Sequence, residues 1–183
     1  MSNSPEKAIT TIGTRTWEVF KQDPVLYIVA MLIVAVVGGV TLGILAFPLA
    51  VGFIKMTRDR MAGKEVGAGD VFSGLGSLVT SLVVGIIIVV GVMIGSALLV
   101  LPGLAVALFT AFAFHFIAYE DAGIGDALTK SFNFVKENAL TVIILIVLAG
   151  VLNSIGSMVV IGVLLTGPLS MIAMTVAFEE LRR

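Results

Sequence analysis

Residues 71–119 read VFSGLGSLVTSLVVGIIIVVGVMIGSALLVLPGLAVALFTAFAFHFIAY. The stretch holds no Lys, Arg, Asp or Glu, and it runs well past the ~20 apolar residues that cross a bilayer core. It is long enough to cross and return, and Leu101-Pro102-Gly103 near its middle supplies a turn. A hairpin of membrane helices follows, with both ends on one side. Working outward, residues 25–54 and 138–178 are also free of charged side chains. The 11 Lys and Arg and the 12 Asp and Glu are confined to the four stretches between and beyond these runs. The pattern predicts an all-α integral membrane protein. Its six transmembrane, or partly re-entrant, helices form three tandem hairpins with every charge on the same face.

Composition points the same way. A chain that is 58% hydrophobic and 13% charged, with a mean hydropathy of +1.14, does not fit an ordinary soluble domain. A net charge of −1 offers no basic field for nucleic acid. Cysteine is absent, which removes disulfides, thiolate nucleophiles and Cys-based metal sites. The first 24 residues carry Glu6, Lys7, Arg15, Glu18, Lys21 and Asp23 and lack a signal peptide's apolar core, so the mature protein is expected to keep them.

Each hairpin is expected to follow an amphipathic helix or segment on the charged face. Ser4-Pro5-Glu6 reads as a helix start, and Ile9, Ile12, Thr16 and Phe20 recur at helical spacing beyond it. Trp17 beside them is an interface anchor at headgroup level; packing against the cytosolic end of the bundle is the equal alternative for this helix. Membrane helices are expected at roughly residues 24–43, 47–62, 78–99, 102–120 and 139–158, with a sixth starting near Gly167-Pro168. The second is short, because Lys55, Arg58 and Arg60 occupy its last turns. A brief amphipathic segment follows Asp70, and another amphipathic helix begins with Asp126 as its cap.

These pieces suggest a repeat, with units near 5–62, 70–120 and 126–181 inside a single membrane domain. Trp17-Glu18-Val19-Phe20-Lys21-Gln22-Asp23 resembles Phe132-Asn133-Phe134-Val135-Lys136-Glu137-Asn138. Pro48, Pro102 and Pro168 mark the three return helices. Units that begin and end on one face are parallel repeats, unlike the inverted repeats of many secondary transporters. All Lys and Arg share the face that carries both termini, so the positive-inside rule places the termini in the cytoplasm and the chain in the inner membrane.

Chemistry-bearing residues are few. His115, the single histidine, lies one turn before Tyr119 and is the candidate for binding a cofactor such as a tetrapyrrole metal, or for relaying a proton. A neighbour-helix hydrogen bond is the plainer role. Asp59, Glu65 and Asp70 form one acidic group and Glu120, Asp121 and Asp126 a second; helix caps and solvated ion pairs explain both better than a metal or acid–base site. Ala35, Gly39 and Gly43 fall at four-residue spacing, as do Gly91 and Gly95, and Gly150 and Ser154. Such small residues let helices pack closely, within the chain or between copies. Asn153 and Ser157 are placed to hydrogen-bond across helices.

From Leu101 onward, Leu101-Pro102-Gly103, Asp121, Gly123, Asp126-Ala127-Leu128, Ser131, Val135-Lys136, Asn138, Gly156 and Gly167-Pro168 resemble a broad family of prokaryotic integral membrane proteins. That family includes YciC-like proteins and the membrane domain attached to some glycerophosphodiester phosphodiesterases. The resemblance implies a six-helix membrane domain with both ends cytoplasmic, and no catalytic residues. The expected function is non-enzymatic, with no cofactor required: a scaffold or subunit that assembles in the bilayer with itself or with a membrane-protein partner. The alternative is a small channel or transporter for a lipid or hydrophobic solute, with a cavity between hairpins lined by Gly, Ser, Thr and Asn153. Cofactor binding through His115 is the third.

Overall fold

The computed structural model describes residues 5–157 and 160–182. Ser4, expected at the first helix start, lies outside them. The described residues form nine α-helices and one 3-10 helix. They are α1 (Pro5–Gln22), α2 (Pro24–Val40), α3 (Ala46–Met61), the 3-10 helix (Ala68–Ser77), α4 (Leu78–Leu98), α5 (Val100–Phe109), α6 (Ala113–Glu120), α7 (Ile124–Glu137), α8 (Ala139–Ser157) and α9 (Val160–Leu181).

By length and apolarity, Ala68–Leu98, Val100–Glu120 and Leu164–Leu181 are long enough to cross a membrane. Two further pairs qualify as broken spans: α1 with α2, bent by 91°, and Ile124–Glu137 with Ala139–Ser154, bent by 100°. The described residues are therefore all-helical, with several helices long and apolar enough to span a membrane. Sequence causes both bends. Asp23 accepts a hydrogen bond from Leu26 N at 3.0 Å, and Pro24 follows at the first helical position, so one helix ends and a capped one begins. Asn138 holds the equivalent place between α7 and α8, its amide donating to Phe134 O at 3.0 Å.

The resemblance between α1 and α7 extends to burial. Ile12, Thr16, Val19 and Phe20 are the buried residues of α1, and Ala127, Ser131, Phe134 and Val135 those of α7. The two sets coincide at one constant offset, the same offset that aligns Trp17 with Phe132. Both helices present the same face inward.

α3 is too short and too charged to face lipid along its length, yet Leu49, Val51, Phe53, Ile54 and Met56 are almost fully buried. It packs against α2, the 3-10 helix, α4, α6 and α9. Protein rather than lipid surrounds it, which removes the need for a full apolar span. Its closest neighbour is the 3-10 helix. A Cβ on Gly52 would overlap the Val71 carbonyl, and one on Gly74 would overlap the Pro48 carbonyl. Only glycine lets these backbones touch.

Three expectations change. The fourth membrane helix is not continuous, because Thr110–Phe112 (residues 110–112) form a turn between α5 and α6. The sixth helix begins at Val160, not near Gly167-Pro168, and Pro168 sits inside it. Proline marks helix starts in water, but packed membrane helices tolerate it internally. Asp126 is not the cap of α7: Gly123 holds that place, and Asp126 lies in the first turn. Asp70 does serve a helix start, accepting from Gly67 N at 2.8 Å.

Candidate functional site

The C-terminal end of α9 gathers the charged face. Arg15 of α1 pairs with Glu180 and with Glu179, the latter at 3.7 Å. Tyr119 donates its hydroxyl to Glu179 at 2.9 Å. Arg182 reaches Glu120 at 3.2 Å, and Lys130 of α7 reaches the same carboxylate at 2.7 Å. That hydrogen bond and the Glu120 charge raise the Lys130 pKa above its ordinary value. Lys55 pairs with Asp121 and Lys64 with Asp59, so both acidic groups contain carboxylates engaged with cations. These pairs are partly exposed, each worth ~0–1 kcal/mol, but together they tie the ends of α1, α3, α6, α7 and α9. Beneath them Phe178 is fully buried, its ring centroid 4.9 Å from Phe116, 5.0 Å from Tyr119 and 5.3 Å from Phe134.

α1 does not lie free on the surface. It packs across α8 and α9. Beside it lies an apolar groove of about 370 Å³, where Ile12, Gly13, Thr16 and Trp17 face Leu145, Leu148 and Leu152 of α8 and Leu169 and Ala173 of α9. On the charged side lies a cleft of about 230 Å³ lined by Lys7, Thr11, Asn138, Thr141 and Glu180. Asn138, Thr141, Leu145, Leu148 and Leu152 fall at alternating three- and four-residue steps, so cleft and groove share one face of α8. Among the described residues, the buried Thr16 hydroxyl has no hydrogen-bond partner. Trp17, the expected anchor, is 56% exposed at the groove's rim.

His115 is buried on α6, its ring centroid 5.2 Å from Phe112 and 5.4 Å from Phe178. Nε2 lies 3.4 Å from Thr175 Oγ1, and Thr175 gives its own proton to Met171 O at 2.9 Å. Thr175 therefore accepts, and the imidazole carries its proton on Nε2. Nδ1 is buried without a partner. The adjoining cleft of about 220 Å³ falls below the ~300–1,000 Å³ of ordinary small-molecule sites. Among the described residues no His, Cys, Asp and Glu group is arranged to hold a metal ion.

Small residues divide by position. A Cβ on Gly95 would stand 2.7 Å from Gly103 N, and one on Gly91 3.1 Å from a Val106 methyl, so this pair does pack α4 on α5. Gly39 and Gly150 meet nothing within 4 Å, and Ala35 and Ser154 are exposed. Gly43 serves the backbone, taking φ +85° in the turn after α2. Sequence reasoning missed Gly52, Gly74, Gly103 and Gly156, where contact is tighter. Each stands alone rather than in a four-residue series, so spacing gave no signal. Asn153 crosses to Ser170 of α9 at 2.9 Å as expected; the side chain of Ser157 lies outside what is described.

A family described as a domain of unknown function, DUF7847, matches residues 18–180. The chain belongs to the DUF7847 family. The matched span takes in α2 to α9 and only the last turn of α1. No curated protein and no solved structure matches the chain. In this DUF7847 member another apolar pocket, about 340 Å³, is lined by Leu101, Leu104 and Leu108 of α5 and Ile143, Ile146 and Val147 of α8.

Proposed function

We propose that this DUF7847 protein is a non-enzymatic inner-membrane protein of three tandem hairpins, both termini cytoplasmic, that holds the hydrocarbon chain of a lipid-like amphiphile beneath α1. One observation carries the reading: an apolar groove bounded by α1, α8 and α9 lies on the same face of α8 as a polar cleft lined by Lys7, Thr141 and Glu180. Lipid chains are the solvent within a bilayer, so a groove of this shape fills with them. The confinement of Lys and Arg to one face supports the orientation.

Native mass spectrometry of the delipidated protein in mild detergent tests the binding. Wild type retains added lipid, and Gly13→Leu with Ala149→Phe, which fill the groove, lose it. Equal retention by both proteins would overturn the reading. The exposed Ala35–Gly39 face of α2 favours a second role, scaffolding through self-association. Cysteines placed at Ala35 and Gly39 should then crosslink between copies in membranes; strictly monomeric protein would exclude it.

A further inference from the structure

We propose that His115 Nδ1 and the thioether sulfurs of Met171 and Met174 form a binding site for copper(I). The site is independent of the groove beneath α1.

The ligand set comes from three side chains that line one cleft. His115 of α6 and Met171 and Met174 of α9 share it with Ile54 of α3 and Phe114. The two methionines are three residues apart on a helix, so they stand as neighbours on one face. Nδ1 supplies the nitrogen. The imidazole proton is on Nε2, where Thr175 Oγ1 accepts it at 3.4 Å, so Nδ1 keeps a free lone pair. His115 is 5% exposed, and among the described residues its Nδ1 has no hydrogen-bond partner. A buried acceptor left bare is costly unless a ligand or water answers it.

The surroundings of the ring are those of a metal ligand. A metal-binding histidine gives its other N–H to a fixed acceptor, which sets the tautomer and the ring orientation. Here Nε2 donates to Thr175, and Thr175 donates to Met171 O at 2.9 Å. The relay therefore ties the imidazole to the backbone of one of the two methionines. Phe112 and Phe178 hold the ring from the side, with centroids at 5.2 and 5.4 Å.

Chemistry selects the ion. None of the described residues lining the cleft is Asp, Glu, Lys or Arg. A divalent cation would bring two charges into an apolar site with no anion to offset them. Copper(I) brings one charge, is satisfied by three neutral ligands, and prefers soft thioether sulfur. A cleft of about 220 Å³ is ample for a single ion.

The test adds copper(I) without oxygen, or silver(I) as its redox-inert stand-in, to full-length protein in mild detergent. Native mass spectrometry reads the bound metal, with zinc(II) as the comparison. Wild type is expected to hold one copper(I) or silver(I) per chain and no zinc(II). Met171→Leu with Met174→Leu nearly conserves core volume, and the folded double variant should lose the ion. Nitrogen-15 NMR of histidine-labelled wild type needs no variant: silver(I) should shift the Nδ1 resonance while Nε2 keeps its proton. Silver(I) held equally by wild type and double variant, an Nδ1 resonance that does not move, or zinc(II) bound as tightly would each overturn the assignment.

Discussion

Replacing Ser131 with Ala removes two hydrogen bonds that nothing else in the chain can replace. The turn at residues 110–112 interrupts the helical ladder between α5 and α6. Ala113 N, the normal partner of Phe109 O, bonds Thr110 O instead at 3.0 Å. Phe109 O is left to the Ser131 hydroxyl at 2.8 Å, and Phe112 N to the same oxygen at 3.2 Å. Ser131 is fully buried, so water does not substitute. Each orphaned buried backbone group costs ~1–3 kcal/mol, which puts the pair at about 2–3 kcal/mol after partial relaxation. For a chain of this length that corresponds to a fall of about 4–12 °C in melting temperature. Thr129→Ala on the exposed face of α7 gains the same helix propensity without the loss and serves as the control. Thermal unfolding in detergent by circular dichroism gives the comparison. A Ser131→Ala protein that melts with Thr129→Ala would refute the claim that α7 completes a broken helix.

Gly52→Ala or Gly74→Ala should sharply lower the yield of folded protein, because backbone carbonyls cannot move aside as a flexible side chain can; overpacking of this kind costs ~1–3 kcal/mol or more. Gly39→Ala, with open space around its Cβ, should be neutral or raise the melting temperature slightly, since Ala exceeds Gly in a helix by ~1 kcal/mol. Nitrogen-15 NMR of protein labelled at histidine should find the His115 proton on Nε2; a proton on Nδ1 would contradict the Thr175 and Met171 arrangement.

The helical segments were legible because charge exclusion from a bilayer writes itself directly into sequence, and the Asp23-Pro24 and Leu101-Pro102-Gly103 signals are local. Helix continuity was not. The break at residues 110–112 exists because Ser131, far along the chain, stabilises it, and the passage of α9 through Pro168 depends on the packing of a membrane helix. Both are tertiary effects on positions whose local preferences read otherwise. The glycine contacts were hidden for a related reason: Gly52 and Gly74 matter through each other's surroundings on separate elements, whereas the Ala35, Gly39 and Gly43 series was visible but faces outward or serves a turn. Of the candidate site, Trp17 and Thr16 were legible as one face of an amphipathic helix, but its seat on α8 and α9 was open between interface and bundle.

The correspondence of Thr16 with Ser131 accounts for the unpartnered hydroxyl beside the groove. α7 packs on α4, α5 and α6, and α1 packs on α8 and α9, so each amphipathic helix covers a packed group of apolar helices. The return helix beneath α7 is broken, and its freed backbone groups satisfy Ser131. The return helix beneath α1 runs unbroken from Val160 to Leu181. Aligning Pro102 with Pro168 sets the broken turn of one against the continuous segment ending at Phe178 in the other. At residues 176–178, the segment matching the broken turn, α9 is helical and keeps its amides and carbonyls in the helical ladder. A helix break there would offer Thr16 backbone partners, as the turn at residues 110–112 offers them to Ser131. Without the break, α1 rests on α9 with a buried hydroxyl unanswered and an apolar groove beside it.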